Sequence, residues 1–364
     1  MFGGNSLSSD YSTAVISTCF FAFTVVSSFR THYNRQTLSL KSSLTNSAPK
    51  VDLHDYALLE IQQPISGPEK ITQTLQNDDI ISKTVPLVTK GLYIYICASV
   101  DLPKSAVCEY ISDTYSRVWD EMLQNNRLSM NCVVVGDVYG SDFMTREQMR
   151  SLPELEAVFS FENESQSIIE SLRTDSKLEK VSFLNTNELT NYQPLIPSSP
   201  GTSAIYYFDA DNIHIPRYRK VALGGTFDQL HNGHRKLLTL AAASCSDLLI
   251  IGVMGDDLLR GKSNFSLIAK CGSRMASVVK FLSVAKPSMK CETIELSDPF
   301  GPTITDPSID AIVVSSETVG GALKINQMRH ERGLPPLVIL VSRRSGSATM
   351  SSSFMRVTNQ PLDT

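Results

Sequence analysis

A chain of 364 residues can hold two domains of roughly 150 residues each, and a formal charge of −4 gives no global electrostatic grip on nucleic acid. The seven cysteines are scattered, odd in number and without a CxxC pair. That pattern argues against a disulfide framework or a zinc knuckle and for a reducing compartment.

Residues 1–85 are rich in Ser, Thr, Gln and Pro and carry no sustained period, so an irregular leader is expected there. Ala14–Val26 (AVISTCFFAFTVV) is apolar but falls short of the ~20 residues a spanning helix needs. Asp10 precedes it where a secretory signal would carry positive charge. The acid-poor, Ser-rich segment is compatible with organelle targeting, weak peripheral membrane association or a disordered tail. Cytoplasmic, mitochondrial and membrane-associated locations therefore all stand, and the number of subunits is not legible.

From Gly91 the pattern firms up. LYIYICASV (Leu92–Val100) reads as a buried strand, and Val107, Ile111, Val118 and Met122 fall near one face of a following helix. NCVVVGDV and EAVFSF read as further strands on either side of the helix-like TREQMRSL. An α/β domain over 88–210 is expected, with no catalytic constellation in it. PLIPSSPGTS (Pro194–Ser203) is the clearest linker, because Pro, Gly and Ser continue neither period.

The second half is more regular. Strands are expected at Lys220–Leu223, Asp247–Val253, Cys291–Leu296, Ala311–Ser315 and Leu337–Ser342. Helices are expected near 233–243, 273–284 and 317–332, the last ending at Gly333. This alternation predicts a Rossmann-like, doubly wound parallel α/β sheet over 218–357, preceded by the second α/β domain. Ligands of such sheets sit beyond the carboxyl ends of the strands, and Val221–Gly225 is one such end.

There the chain reads VALGGTFDQLHNGH (Val221–His234). Gly224 and Gly225 let an anion approach main-chain N–H groups. A helix starting near Asn232 or Gly233 adds unpaired N–H donors and a partial positive charge. His231 and His234, three residues apart, can then lie on one side of the turn over a phosphate. A plain turn, a histidine cap and a metal half-site compete with this reading. The metal alternative is weakened because zinc hydrolases favour i,i+4 histidines with a glutamate between them. Two of six histidines behind a Gly-Gly-Thr at one strand-to-helix turn favour phosphate. GDDLLRGKS mimics a Walker A loop, but five residues rather than four separate Gly255 from Gly261, and Asp256 and Asp257 would repel phosphate.

GGTFDQLHNGH resembles the signature of the nucleotidylyltransferase superfamily, and MSSSFMR (Met350–Arg356), after the fifth strand, resembles its second motif. Ser297–Thr318 and Gly320–Leu337 narrow the resemblance to phosphopantetheine adenylyltransferases of the eukaryotic and archaeal type. The N-terminal part is only vaguely similar to the leading region of eukaryotic CoA synthases. The resemblance implies transfer of AMP from ATP to 4′-phosphopantetheine without a covalent intermediate. His234 would then be the main donor to the α-phosphate, with His231 beside it. Thr226 would orient the acceptor phosphate and Lys262 would steady the charge. Gly224, Gly225, Phe227 and Gly233 would line the ATP site, and Ser351, Ser352 and Ser353 would meet the β- and γ-phosphates.

The same resemblance brings in further residues. Glu317 and Thr318 are either nucleotide-side groups or helix caps. Asn326 and Arg329 match a family stretch, and Arg329 either reaches pyrophosphate or lies solvated on its helix. Asp298, Pro299, Phe300 and Gly301 would wall the pantetheine arm. Magnesium would travel with ATP, held through its phosphates. One departure stands out, because Arg274 lacks the usual acidic neighbours in sequence, leaving the support of the Lys262 loop open. Bifunctional CoA synthases continue into a dephospho-CoA kinase with a P-loop, and the expectation here is adenylyl transfer without that kinase. Cytidylyl- or nicotinamide-mononucleotide-type transferases and a noncatalytic scaffold are the competing readings.

Overall fold

The structure, a computed structural model, describes residues 53–64, 69–98, 102, 104–138, 142–161, 182–185, 217–262, 264–342, 351–352 and 355–356. The apolar run Ala14–Val26, the linker Pro194–Ser203 and Ser353 lie outside the described residues. Among those residues, no helix is long and apolar enough to cross a membrane.

The first sheet contains β1 (His54–Gln62), β2 (Val88–Cys97), β3 (Asn131–Gly136), β4 (Ala157–Ser160) and β5 (Ser182–Asn185). All pairings are parallel, in the order β3-β2-β1-β4-β5. Helices α1 (Glu69–Thr84), α2 (Lys104–Gln124) and α3 (Arg146–Arg150) accompany it. The expected boundary of the leader is thereby corrected, since β1 and α1 occupy residues assigned to irregular chain and β1 is the central strand. Glu60 interrupts the apolar run of β1 and hid it, while α1 is too polar to show a face. Glu60 is fully buried and tolerated there because Arg150 and Arg146 donate to it at 2.5 and 2.7 Å. Burial opposes its charge, but the two guanidinium groups win and hold its carboxyl below the usual range.

The second sheet contains β6 (Tyr218–Gly225), β7 (Cys245–Met254), β8 (Lys290–Leu296), β9 (Ala311–Ser315) and β10 (Val338–Ser342). It is also entirely parallel, in the order β10-β9-β6-β7-β8. Helices α4 (Asn232–Ser244), α5 (Cys271–Ala285) and α6 (Val319–Glu331) connect its strands. The strands and helices expected from periodicity are all present, within a few residues at each end. At the close of α6, Gly333 adopts φ +68° and the Leu334 N–H returns to the Arg329 carbonyl, the left-handed stop that its sequence position implied. Because β6 is flanked by β7 and β9, the chain reverses direction across the sheet at β6. The crevice this opens lies at the carboxyl ends of β6 and β9.

The two sheets share one apolar core. Helix α2 buries Val107, Ile111, Tyr115, Val118, Trp119 and Met122, more than one sheet requires, and its surplus faces α4. The Tyr115 hydroxyl meets Thr239 Oγ1 at 3.1 Å, and the Met144 N–H donates to the Ala285 carbonyl at 3.1 Å. Lys286 Nζ lies 5.6 Å from the centre of the Phe143 ring across the seam, while donating to the carbonyls of Ala242 and Cys245 on its own side at 2.8 and 3.2 Å.

Candidate active site

The turn after β6 is built under backbone constraint. Phe227 and Gln229 take φ values of +51° and +43°, a region costing about 1–3 kcal/mol for side chains other than glycine. Packing holds the first of them. The Phe227 ring is buried, lies 5.3 Å from the His234 ring, and covers Gly225 so closely that a Cβ there would stand 3.2 Å from the ring. A Cβ at Gly224 would meet nothing nearer than the Gly252 carbonyl oxygen at 3.7 Å. The two glycines therefore do different work. Gly225 makes room for Phe227, whereas Gly224 leaves open space at the strand end.

Helix α4 starts immediately after this turn. His231 is its N-cap, and His231 Nδ1 accepts from the Gly233 N–H at 3.2 Å. An N–H can only donate, so Nδ1 is unprotonated and the proton of the neutral ring sits on Nε2. His234 lies in the first turn, its ring stacked on His231 at 3.9 Å and 28°. Two charged imidazoles could not stack this way in a buried site. Burial, then the His234 and Arg235 charges, push the His231 pKa well below its ordinary value of 6.5. Burial, Arg235 and Lys262 lower that of His234 to about 3. His234 Nδ1 is buried without a hydrogen-bond partner among the described residues. An orphaned polar atom at a helix N-terminus fits an absent ligand group.

Across the turn, Lys262 Nζ donates to Thr226 Oγ1 at 2.8 Å, so two predicted site residues meet directly. Partial desolvation and the nearby guanidinium groups of Arg356 and Arg274 lower the Lys262 pKa. The Lys262 loop is anchored by Arg274, which is fully buried and donates to the carbonyls of Ala269, Thr226 and Met254 at 2.6–2.7 Å. Its missing acidic neighbour is supplied from elsewhere in the chain. Asp256 Oδ1 pairs with Arg274 Nη2 at 2.9 Å and also accepts from the Cys271 N–H at 3.0 Å. Asp256, which argued against a phosphate cradle, is thus a strut for the loop carrying Lys262.

The second motif is fastened to the first through Asp228, a residue of GGTFD that the sequence reading left without a role. Its Oδ2 accepts from Arg356 Nη1 at 2.6 Å, its Oδ1 from the Ala269 N–H at 3.2 Å, and its carbonyl from Ser352 Oγ at 2.8 Å. Ser352 is helical and the Ser351 carbonyl accepts from the Met355 N–H at 3.1 Å, so Ser351 and Ser352 begin a helical turn beside the glycine–histidine turn. Sequence spacing alone carried no sign of the Asp228–Arg356 pairing across 128 positions.

The remaining candidates divide. Glu317 is exposed just past the carboxyl end of β9, on the crevice side. Thr318 is a cap, its hydroxyl exchanging hydrogen bonds with the Ser315 backbone at 3.1 Å. Asp298 Oδ1 accepts from the N–H groups of Phe300 and Gly301, both at 2.8 Å, after β8. Gly301 sits at φ +49°, where a Cβ would strike Leu296. Pro299 is exposed within the same turn.

Arg329 requires a correction. Neither exposed nor facing the crevice, it is fully buried at the far end of α6 and donates to the carbonyls of Pro335, Thr303 and Asp306 at 2.7–2.9 Å. Asn326 makes a two-way bond with the Leu337 backbone at 2.7 and 2.9 Å. These two side chains hold the approach to β10, and of the Arg329 guanidinium only Nη2 is buried without a partner among the described residues.

What remains is a compact set of donors, with two neutral imidazoles, an amine, a hydroxyl and helix-start N–H groups around open space at Gly224. Among the described residues no group of three His, Cys, Asp or Glu side chains could hold a metal ion. A parallel α/β sheet with this turn at its crossover crevice is the arrangement of the nucleotidylyltransferase fold. The cytidylyltransferase-like family model matches residues 222–361. An uncharacterized protein of Schizosaccharomyces pombe is 45% identical over 118 residues, 32% of this chain and 37% of that protein. A phosphopantetheine adenylyltransferase of Saccharomyces cerevisiae is 40% identical over 133 residues, 36% of this chain and 42% of the yeast enzyme. One from Methanopyrus kandleri is 41% identical over 127 residues, 35% of this chain and 80% of the archaeal enzyme. The chain belongs to the cytidylyltransferase-like family, on the side of the phosphopantetheine adenylyltransferases. The similarity spans less than half the length of the two yeast relatives.

Proposed function

We propose that this chain transfers AMP from ATP to 4′-phosphopantetheine, forming dephospho-CoA and releasing pyrophosphate. The acceptor phosphate oxygen attacks the α-phosphorus, a new P–O bond forms, and the bond to the β-phosphate bridge breaks. The acceptor is already an anion, so no general base is needed, and catalysis is positioning and charge stabilisation.

The observation that carries this reading is the stacked, neutral histidine pair at the start of α4, with His234 Nδ1 buried and lacking a partner. His234 and His231 donate to the α-phosphate region as negative charge shifts onto the leaving bridge. Lys262 and Thr226 face them and hold the acceptor phosphate, and Gly224 admits the triphosphate. Ser351, Ser352 and Ser353 meet the β- and γ-phosphates, with Glu317 on the nucleotide side. The Asp298–Gly301 turn, with Pro299 and Phe300, walls the pantetheine arm. Magnesium would come with ATP and be bound mainly through its phosphates, as among the described residues no cluster of three His, Cys, Asp or Glu side chains would cage it.

The test is pyrophosphate release from ATP with 4′-phosphopantetheine, set against CTP and against nicotinamide mononucleotide as acceptor. Release with ATP and 4′-phosphopantetheine alone is expected. Release only with CTP or nicotinamide mononucleotide would move the chain to another branch of the family, and release with none would leave a noncatalytic scaffold.

A further inference from the structure

We infer that the first domain forms a positioning wall of the active site, acting through Trp119 on His231. Trp119 is the only tryptophan in the chain, is fully buried on α2, and presents its ring edge-on to His231 at 6.1 Å and 64°. His231 in turn stacks on His234, so an aromatic row runs from the first domain to the partnerless imidazole of the site. Edge-on aromatic contacts fix ring orientation as well as burying area.

A second row of contacts runs beside the first. Asn232, the residue between His231 and Gly233, is fully buried and donates Nδ2 to the Tyr115 carbonyl of α2 at 3.1 Å. Its Oδ1 accepts from Arg235 Nη1 at 3.0 Å, and Arg235 Nη2 reaches Asn131 Oδ1 of β3 at 2.9 Å. The start of α4 is therefore held from the first domain at His231, Asn232 and Arg235. A rotatable imidazole needs such support, because misplacing a donor by about 1 Å can cost about 100-fold in rate. No catalytic group is expected in residues 88–210. Their contribution is to set the geometry of catalytic groups elsewhere.

This inference rests on the adenylyl-transfer reading for its kinetic consequence but not for its spectroscopic one. In the full chain, addition of ATP with Mg²⁺ should change the fluorescence of Trp119, which has no other tryptophan to mask it. Trp119→Leu, which removes the flat edge, should lower kcat roughly ten-fold while KM for both substrates stays within about two-fold. Trp119→Phe, which keeps an aromatic edge, should recover kcat to within about three-fold of the parent chain. Wild-type emission that ignores saturating ATP, with binding verified by calorimetry, would overturn the inference even if the variants failed to fold. Equal kcat in Trp119→Leu and the parent chain would overturn it as well. An emission change without pyrophosphate release from any substrate pair would leave the Trp119–His231 link standing and refute the adenylyl-transfer reading instead.

Discussion

Asp228 and Arg356 join the two halves of the site through a buried 2.6 Å ion pair, fastening the serine-bearing second motif to the glycine–histidine turn. Neither partner is exposed, so removing one strands a charge in the interior. Asp228→Ala should destabilise the chain by about 3–5 kcal/mol in denaturant unfolding. Removing both partners, as Asp228→Leu with Arg356→Met, should recover a substantial part of that loss. A double variant no more stable than Asp228→Ala would mean the pair is not the fastening element.

The neighbouring glycines separate folding from binding. At Gly225 a methyl group meets the Phe227 ring, in a residue already held at positive φ. Gly225→Ala should therefore lower Tm, with the turn giving way. At Gly224 the same methyl meets no protein atom closer than ordinary contact, so Gly224→Ala should leave Tm nearly unchanged. It should weaken ATP binding, measured by calorimetry, by filling the space proposed for the triphosphate. Unchanged affinity in Gly224→Ala would place the nucleotide elsewhere.

His234→Ala removes the donor proposed to meet the transition state. Loss of such a donor typically costs about 10²–10³ in kcat, and that is the expected drop in pyrophosphate release. KM for ATP should move little, because the triphosphate keeps its other contacts. Turnover equal to the parent chain would remove His234 from the reaction.

Much of this was legible in the sequence, for identifiable reasons. In the second sheet short strands mostly alternate with helices, and glycines or prolines mark many of its turns, so each element could be read locally. His231, His234, Thr226 and Lys262 converge because three of them share one turn and the fourth follows the next strand. What escaped depended on contacts distant in sequence. The β1 strand hid behind Glu60, whose charge is cancelled by arginines some ninety positions away. Asp256 replaced an acidic neighbour sought beside Arg274, and Asp228 found its partner across the whole domain. Arg329 misled because a lone arginine on a polar helix looks solvated until the carbonyls that enclose it are placed.

The framework role of Arg329 separates stability from activity. Its guanidinium serves three carbonyls at the opposite end of α6 from the crevice. Arg329→Met should lower Tm clearly, because buried carbonyls lose charged donors worth about 1.5–3 kcal/mol each. At a temperature where the variant is folded, kcat and the KM for ATP should match the parent chain. A selective fall in kcat with Tm preserved would return Arg329 to the phosphate site.

The histidine pair also sets a pH signature of stability. The His234 pKa drops from 6.5 in the open chain to about 3 in the fold, so between these values the unfolded state binds a proton that the folded state refuses. Stability linked to this residue is then fully present above pH 6.5 and is lost progressively as pH falls towards about 3. The direction follows from burial, which penalises the charged ring, reinforced by the nearby Arg235 and Lys262 charges. His234→Asn keeps a polar side chain of similar size but cannot titrate. Thermal melts of both chains across pH 8 to 4 report on His234 together with the His231 ring coupled to it, since the remaining titratable groups are common to the two. Relative to His234→Asn, the parent chain should lose Tm steadily below pH 6.5 and not above it. Parallel curves would mean that His234 titrates normally in the fold, and the neutral stacked pair would have to be abandoned.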